Sequence, residues 1–195
     1  MKDLHVFVWG KSGLAKKISG FINGYGDTVV SDPNLARYHV SAQYPEIFTP
    51  EEISKYGYIL NIHYSDTEVI RGCNVISHAI ELGLYKTAVT FHIIDSGIDT
   101  GDILFKIPIW ISSHVTAESL YFKCEDAAYK AFREKWEWLR TKPLGKKAKR
   151  HGEYFPRDLC LEMDLEEWQH RFIRSRTFAE KPRPYIVVAG RKIEL

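Results

Sequence analysis

Residues 89–103 read Val-Thr-Phe-His-Ile-Ile-Asp-Ser-Gly-Ile-Asp-Thr-Gly-Asp-Ile, and the rest of the chain is interpreted outward from them. The run Lys86 to Ile94 alternates and is rich in β-formers, which predicts a strand. Asp95 to Asp102 carries three carboxylates and two glycines, which predicts a tight turn. Ile103 to Ile111 then predicts a returning strand. Carboxylates this dense repel one another unless they meet partners or a metal. A calcium loop is one way to use them, but the D-x-D-x-D-G run and its distant Glu are missing. The other use is an Asp that holds a histidine from another strand, raising the imidazole pKa and fixing its tautomer.

Upstream, Tyr58 to His63 is strand-like and ends in Asn61-Ile62-His63. Strand alternation places Asn61 and His63 on one face and Ile62 on the other. At the carboxyl end of a sheet strand, an amide and an imidazole then share a crevice. The amide can donate to a developing oxyanion, and the imidazole can donate a proton or a charge-assisted bond. Alone, such a triplet is more often a satisfied polar pair at a strand end.

The flanking sequence fits an α/β domain. Leu4 to Trp9 reads as a buried strand, Gly10-Lys11-Ser12-Gly13 as a turn, and Leu14, Ile18, Phe21 and Ile22 as a helix stripe capped by Ser12. Gly24 and Gly26 stop that helix, and Asp27 to Val30 predicts the next strand. Gly10 to Gly13 has the shape of a phosphate-cradling turn, and equally of a plain tight turn. Tyr38 to Gln43 predicts another strand. Thr49-Pro50-Glu51-Glu52 predicts a capped helix start. Val75 to Leu82 reads as a helix closed by Gly83. Thr116 to Arg140 reads as a long amphipathic helix with Leu120, Cys124, Ala127, Ala131 and Trp138 near one stripe.

Residues 143–156 are basic and punctuated by Gly and Pro, the pattern of a solvated connector. A short helix over Leu165 to Ser175 and a hairpin of Tyr185 to Val188 with Lys192 to Leu195 follow. Residues 1–142 are thus expected to form the catalytic domain, with 143–195 a basic linker and a helix plus β-hairpin extension.

Bulk properties narrow the classes. The chain has 195 residues, is 45% hydrophobic and carries a formal net charge of +2, which gives no case for nucleic-acid binding by bulk charge. No run approaches the ~20 apolar residues of a membrane span, and the N-terminus does not read as a signal peptide. Cys73, Cys124 and Cys160 are odd in number and far apart, without metal spacing. Reduced thiols in the cytoplasm are the expectation, with no metal and no membrane partner.

Taken together, N-I-H at 61–63, Ser65, Arg71-Gly72, the A-I-x-x-G of Ala79 to Gly83, and the stretch Val89 to Ile103 resemble the formyltransferase family. The likeness runs from about Tyr38 to Ser112. It implies a Rossmann-like α/β formyltransferase fold and N10-formyltetrahydrofolate as cosubstrate. It also implies a catalytic trio of Asn61, His63 and Asp99. Asn61 and a protonated His63 would donate to the oxyanion. Asp99 would keep His63 charged and help a water relay the amine proton. His92 and Asp102 would orient the turn. The resemblance places the folate between Tyr44 to Phe48 and Ile94 to Ser96, with Tyr44, Glu46, Phe48, Ile94 and Asp95 as its contacts.

This chain departs from the family twice. Its N-terminal half is short between Asp32 and Tyr38, so a smaller sheet is expected, its lost edge covered by a partner in a homodimer. Its Tyr64 to Ile70 loop lacks the usual apolar, Pro-containing sequence. The tail from Leu165 and the R-G-C-N of 71–74 resemble the nucleotide-sugar N-formyltransferases. The expected acceptor is therefore a dTDP- or UDP-linked 3- or 4-amino sugar used in surface polysaccharide. Glycinamide ribonucleotide, a formyl hydrolase, and a folate- or nucleotide-binding module without catalysis are the competing expectations.

Overall fold

The computed structural model describes residues 3–157, 162–163, 169–179, 181–188 and 191–194. β1 (His5–Trp9) turns at Gly10 into α1 (Gly13–Tyr25). Gly10 has φ +108°, and a Cβ there would lie 2.5 Å from the Ala42 carbonyl oxygen, so the turn requires glycine. Ser12 accepts from the Ala15 amide as the helix cap and donates to the Ala42 carbonyl. α1 buries Leu14, Ala15, Ile18 and Ile22, as its apolar spacing predicts.

β2 (Thr28–Val29) reaches β3 (Tyr38–Ala42) through the 3-10 turn Pro33–Leu35. α2 (Pro50–Tyr56) begins in a capping box: Thr49 accepts from the Glu52 amide, and Glu52 returns to the Thr49 amide. β4 (Ile59–His63), β5 (Ile70–Gly72) and α3 (Val75–Glu81) follow. β6 (Lys86–Ile93), β7 (Ile103–Trp110) and α4 (Ala117–Leu139) complete the main body. Beyond it lie β8 (Glu153–Phe155), β9 (Glu162–Met163), α5 (Gln169–Ser175), β10 (Tyr185–Val188) and β11 (Arg191–Glu194).

The central sheet has the order β2-β1-β3-β4-β6-β7. Its pairings from β2 to β4 are parallel, and β6 and β7 run antiparallel. Pro108 is tolerated because β7 lies at the edge. Even-numbered β4 residues Leu60 and Ile62 join the main core with α1 and α4. Ile59 packs on the other side with Trp9, Phe48 and Ile53 of α2. Strand pleating alone produces this division.

One expectation changes, and two others gain detail. On α4, Leu120, Cys124 and Ala131 are buried, but Trp138 is 44% exposed and Trp136 takes its place in the core. The stripe steps from Cys124 through Ala128, Phe132 and Trp136, and Trp138 lies two residues off it. On β6, the polar members of the alternation are buried too: Thr90 donates to the Ser65 carbonyl, and Thr87 accepts from the Asp66 amide.

The basic stretch is a bonded strap. Lys146 bridges Ile103, Gly152 packs on Val69 and Ile70, and β8 pairs in parallel with β5. At the tail, β10 pairs with β11 from Val188 to Arg191 onward and takes β9 on its other side. The hairpin turn expected at Ala189-Gly190, the Leu195 end and residues 165–168 of the expected helix lie outside the described residues. No helix among the described residues is long and apolar enough to cross a membrane.

Candidate active site

Asn61 and His63 emerge side by side at the end of β4, and β6 sets His92 directly opposite Asn61. The turn after β6 delivers Asp99 to both. The Asn61 amide nitrogen lies 3.0 Å from His92 Nε2 and 3.3 Å from Asp99 Oδ1. His63 Nε2 lies 3.5 Å from Asp99 Oδ2, and His92 Nε2 lies 3.5 Å from Asp99 Oδ1. The Gly72 amide donates to Asp99 Oδ2 at 3.0 Å.

Arg71 explains why the turn holds its shape. Its Nη1 donates to the Ile98 carbonyl and its Nε to the Gly152 carbonyl, each at 3.0 Å. It therefore clamps the Asp99 turn and the strap together. Gly72 has φ +97°, and a Cβ there would lie 2.2 Å from the Phe155 carbonyl oxygen, so only glycine lets β8 approach. Asp99 itself has φ +52°, a left-handed conformation that Asp tolerates better than most residues.

The His63 and Asp99 side chains are each 12% exposed. Burial lowers the His63 pKa below its ordinary value, and the opposing pull of Asp99 is smaller. The two partners pull against each other: burial disfavours the His63 imidazolium, whereas the charged pair with Asp99 favours it. Burial alone would raise Asp99, but His63, His92 and the Gly72 amide outweigh it and hold the carboxyl well below its usual range. His63 Nε2 has no hydrogen-bond partner among the described residues. The carboxylate beside it favours the tautomer protonated at Nε2, which leaves Nδ1 as the acceptor. His92 Nδ1 faces the Ile93 carbonyl at 3.1 Å. A proton on that nitrogen frees Nε2 to accept from the Asn61 amide.

The four side chains line one cavity of about 760 Å³, within the roughly 300–1,000 Å³ of small-molecule clefts. Tyr44, Glu46, Phe48, Ile94 and Asp95 line it as well. Tyr44 and Phe48 stand 5.2 Å apart, ring to ring, and Ile94 packs against the same cluster. Asp95 is occupied in its turn, accepting from the Gly97 amide and the Thr100 hydroxyl. Asp102 is not among the cavity's lining residues; its backbone carbonyl accepts from Ile93. At the start of α1, a Cβ on Gly13 would lie 3.0 Å from the buried Glu125 carboxylate. Glu125 is paired with Lys17 at 2.8 Å, and this close packing leaves room only for glycine at position 13.

Sequence reasoning ranked His92 as an orienting residue of the turn; its ring contacts both Asn61 and Asp99. It passed over Gln43, Tyr121, Tyr154, Arg157 and Phe178, which also line the cavity. Gln43 had a signal, since it ends a strand beside the N-x-H strand; it has φ +57° and donates to the Ile62 carbonyl. The others come from distant segments and carried none.

These features define an α/β enzyme-like fold with a histidine and a carboxylate at the carboxyl end of its sheet. The Formyl transferase family model matches residues 31–135, more than half of the chain, and the chain belongs to that family. A methionyl-tRNA formyltransferase of Caldanaerobacter subterraneus subsp. tengcongensis is 31% identical over 150 residues, covering 75% of this chain and 48% of that protein. The chain spans about half or less of the curated relatives it matches. Two solved structures share the fold. A 4-N formyltransferase from Francisella tularensis superposes with TM-score 0.83 at 16% identity, covering 98% of this chain and 96% of that one. An N-formyltransferase from Helicobacter canadensis, in complex with folinic acid and dTDP-3-aminofucose, superposes with TM-score 0.77 at 18% identity, covering 98% and 86%.

Proposed function

We propose that this chain transfers a formyl group from N10-formyltetrahydrofolate to the amine of a dTDP- or UDP-linked 3- or 4-amino sugar. The observation that carries the reading is the convergence of Asn61, His63 and Asp99 on one cavity. The residues fit a folate: Tyr44, Phe48 and Ile94 offer an aromatic and apolar slot that lines the same cavity as the trio. When bound, the folate would supply the formyl carbon that the amine attacks.

Burial favours the neutral form of His63, and on this reading that form sets the proton route. His63 Nδ1 takes the proton that the attacking amine sheds. Asp99 stabilises the imidazolium so formed, because its carboxylate already lies beside Nε2. The Asn61 amide turns one N–H from His92 or Asp99 toward the oxygen on which negative charge develops. His63 then returns the proton to the departing nitrogen. Burial of both side chains strengthens each of these interactions.

The nucleotide-sugar acceptor is supported by the Helicobacter canadensis fold relative and by the likeness of the tail to that branch. On this reading the enzyme works in the cytoplasm and its product feeds surface polysaccharide. A second reading, methionyl-tRNA as acceptor, is favoured by the named curated relatives. Formyl-folate turnover with each acceptor, wild type against His63→Ala, tests the proposal. Acceptor-dependent turnover that His63→Ala abolishes supports it, and undiminished turnover in that variant overturns the assigned roles.

A further inference from the structure

The strap that follows α4 holds a leucine out in water among cations. Residues 142–151 read Lys-Pro-Leu-Gly-Lys-Lys-Ala-Lys-Arg-His, with five lysines and arginines and no acid. Leu144 is 95% exposed. Lys142, Lys146, Lys147, Lys149 and Arg150 are exposed as well. The backbone imposes this exposure. The Tyr58 hydroxyl donates to the Pro143 carbonyl at 3.1 Å. A Cβ on Gly145 would lie 2.7 Å from the Asp102 carbonyl oxygen, and Lys146 and Ile103 exchange both main-chain bonds at 2.8 Å. Leu144 thus stands at the tip of a turn pinned on both sides.

The end of α4 extends the same surface. The exposed Trp138 ring lies 5.9 Å from Phe105, two residues along β7 from the Ile103 that carries Lys146. Lys135 sets its ammonium 5.1 Å from the centre of the Phe105 ring. The neighbouring Glu68 is already bonded by Lys106 and by the Lys149 amide. Glu134 and Glu137 of α4 are exposed beside Trp138. A single exposed leucine is ordinary on a protein surface. One fixed at the tip of a basic turn, with a tryptophan near by, combines an apolar finger with a field of cations.

We propose that this surface docks the protein on an anionic phospholipid bilayer, with Leu144 entering the headgroup layer and the strap cations meeting the anionic headgroups. The pairing of the two features selects the partner. A nucleic acid backbone would use the cations and leave Leu144 in water. A bilayer uses both, because basic residues near an anionic surface and an apolar side chain buried at the headgroup boundary each add to binding. Trp138 suits the same boundary, where an indole meets apolar and wet surroundings at once. The attachment is peripheral, and it is independent of which amine is formylated.

The test is co-sedimentation of the whole chain with two kinds of vesicle, phosphatidylcholine alone and equal parts of phosphatidylcholine and phosphatidylglycerol. Binding to the anionic vesicles only, falling as salt rises, is the expected result. The double variant Lys146→Gln, Lys147→Gln should weaken it about tenfold or more, and Leu144→Gln about fivefold. Both variants should melt at the wild-type temperature, which separates lost docking from lost folding. Binding to neither vesicle, or equal binding by wild type and both variants, overturns the proposal. So does binding to polyuridylate with none to vesicles, which would give the surface to nucleic acid. A dimer in solution that Leu144→Gln splits would give it to a second copy and overturn the proposal too.

Discussion

The two faces of β4 carry different kinds of side chain to the same cavity. Ile59, Asn61 and His63 face the side where Tyr44, Phe48 and Ile94 gather, and the two polar members meet Asp99. Leu60, Ile62 and Tyr64 face α1 and α4, and Tyr64 leads through Tyr121 to Phe178. The first face lies within the matched family segment, whereas the second takes Phe178 and Lys181 from beyond it. A shared reaction with a private acceptor would divide in this way. On the proposed reading, chemistry and donor sit on one face, and acceptor selection on the other.

The largest expected effect falls on the chemistry. Asn61→Ala and Asp99→Asn should each lower the turnover number about 100-fold or more while leaving both ligands' binding nearly unchanged. Thermal melting near wild type would show that the fold survives. Turnover within a few-fold of wild type in either variant breaks the assignment of chemistry to this face.

The next effects should separate the walls. Tyr44→Leu should raise the KM for formyl-folate about tenfold and leave the acceptor KM in place. Phe178→Leu should do the reverse. Steady-state kinetics with both substrates varied reads the two constants apart, and variants that move both together would break the division.

The pH profile sharpens the comparison at its centre. Burial lowers the His63 pKa, so its neutral, proton-accepting form persists below the ordinary histidine value of 6.5. The kcat/KM should therefore hold level as pH falls to 6.5 and decline only below it. A rate that rises on acidification through that region would mean that the charged imidazole is the working form. The smallest effect is structural. Thr49→Ala removes the α2 cap and should cost about 1 kcal/mol in denaturant unfolding, with turnover unchanged.

Much of this was legible in the sequence because it is local. Strand alternation placed Asn61 and His63 together, the capping Thr49 opened α2, and Gly10 closed the first turn. The errors came where partners are distant or where solvent, not spacing, decides. Trp138 and Trp136 differ by two positions, and helix phase admits only Trp136 to the core. The charge run of 143–156 is solvent-exposed as its composition predicts, but its backbone pairing with β5 and the Lys149 amide bond to Glu68 were not legible. The downward pull on the His63 pKa was not legible, because proximity to Asp99 is visible in a motif and burial is not.

The most direct measurement is product analysis by mass spectrometry after incubating the protein with N10-formyltetrahydrofolate and a panel of amines. The panel holds dTDP- and UDP-linked 3- and 4-amino sugars, glycinamide ribonucleotide and methionyl-tRNA. A formylated nucleotide sugar from wild type, absent with His63→Ala, is the predicted result. Formyl transfer to methionyl-tRNA or glycinamide ribonucleotide alone, or to none of the panel, would contradict it.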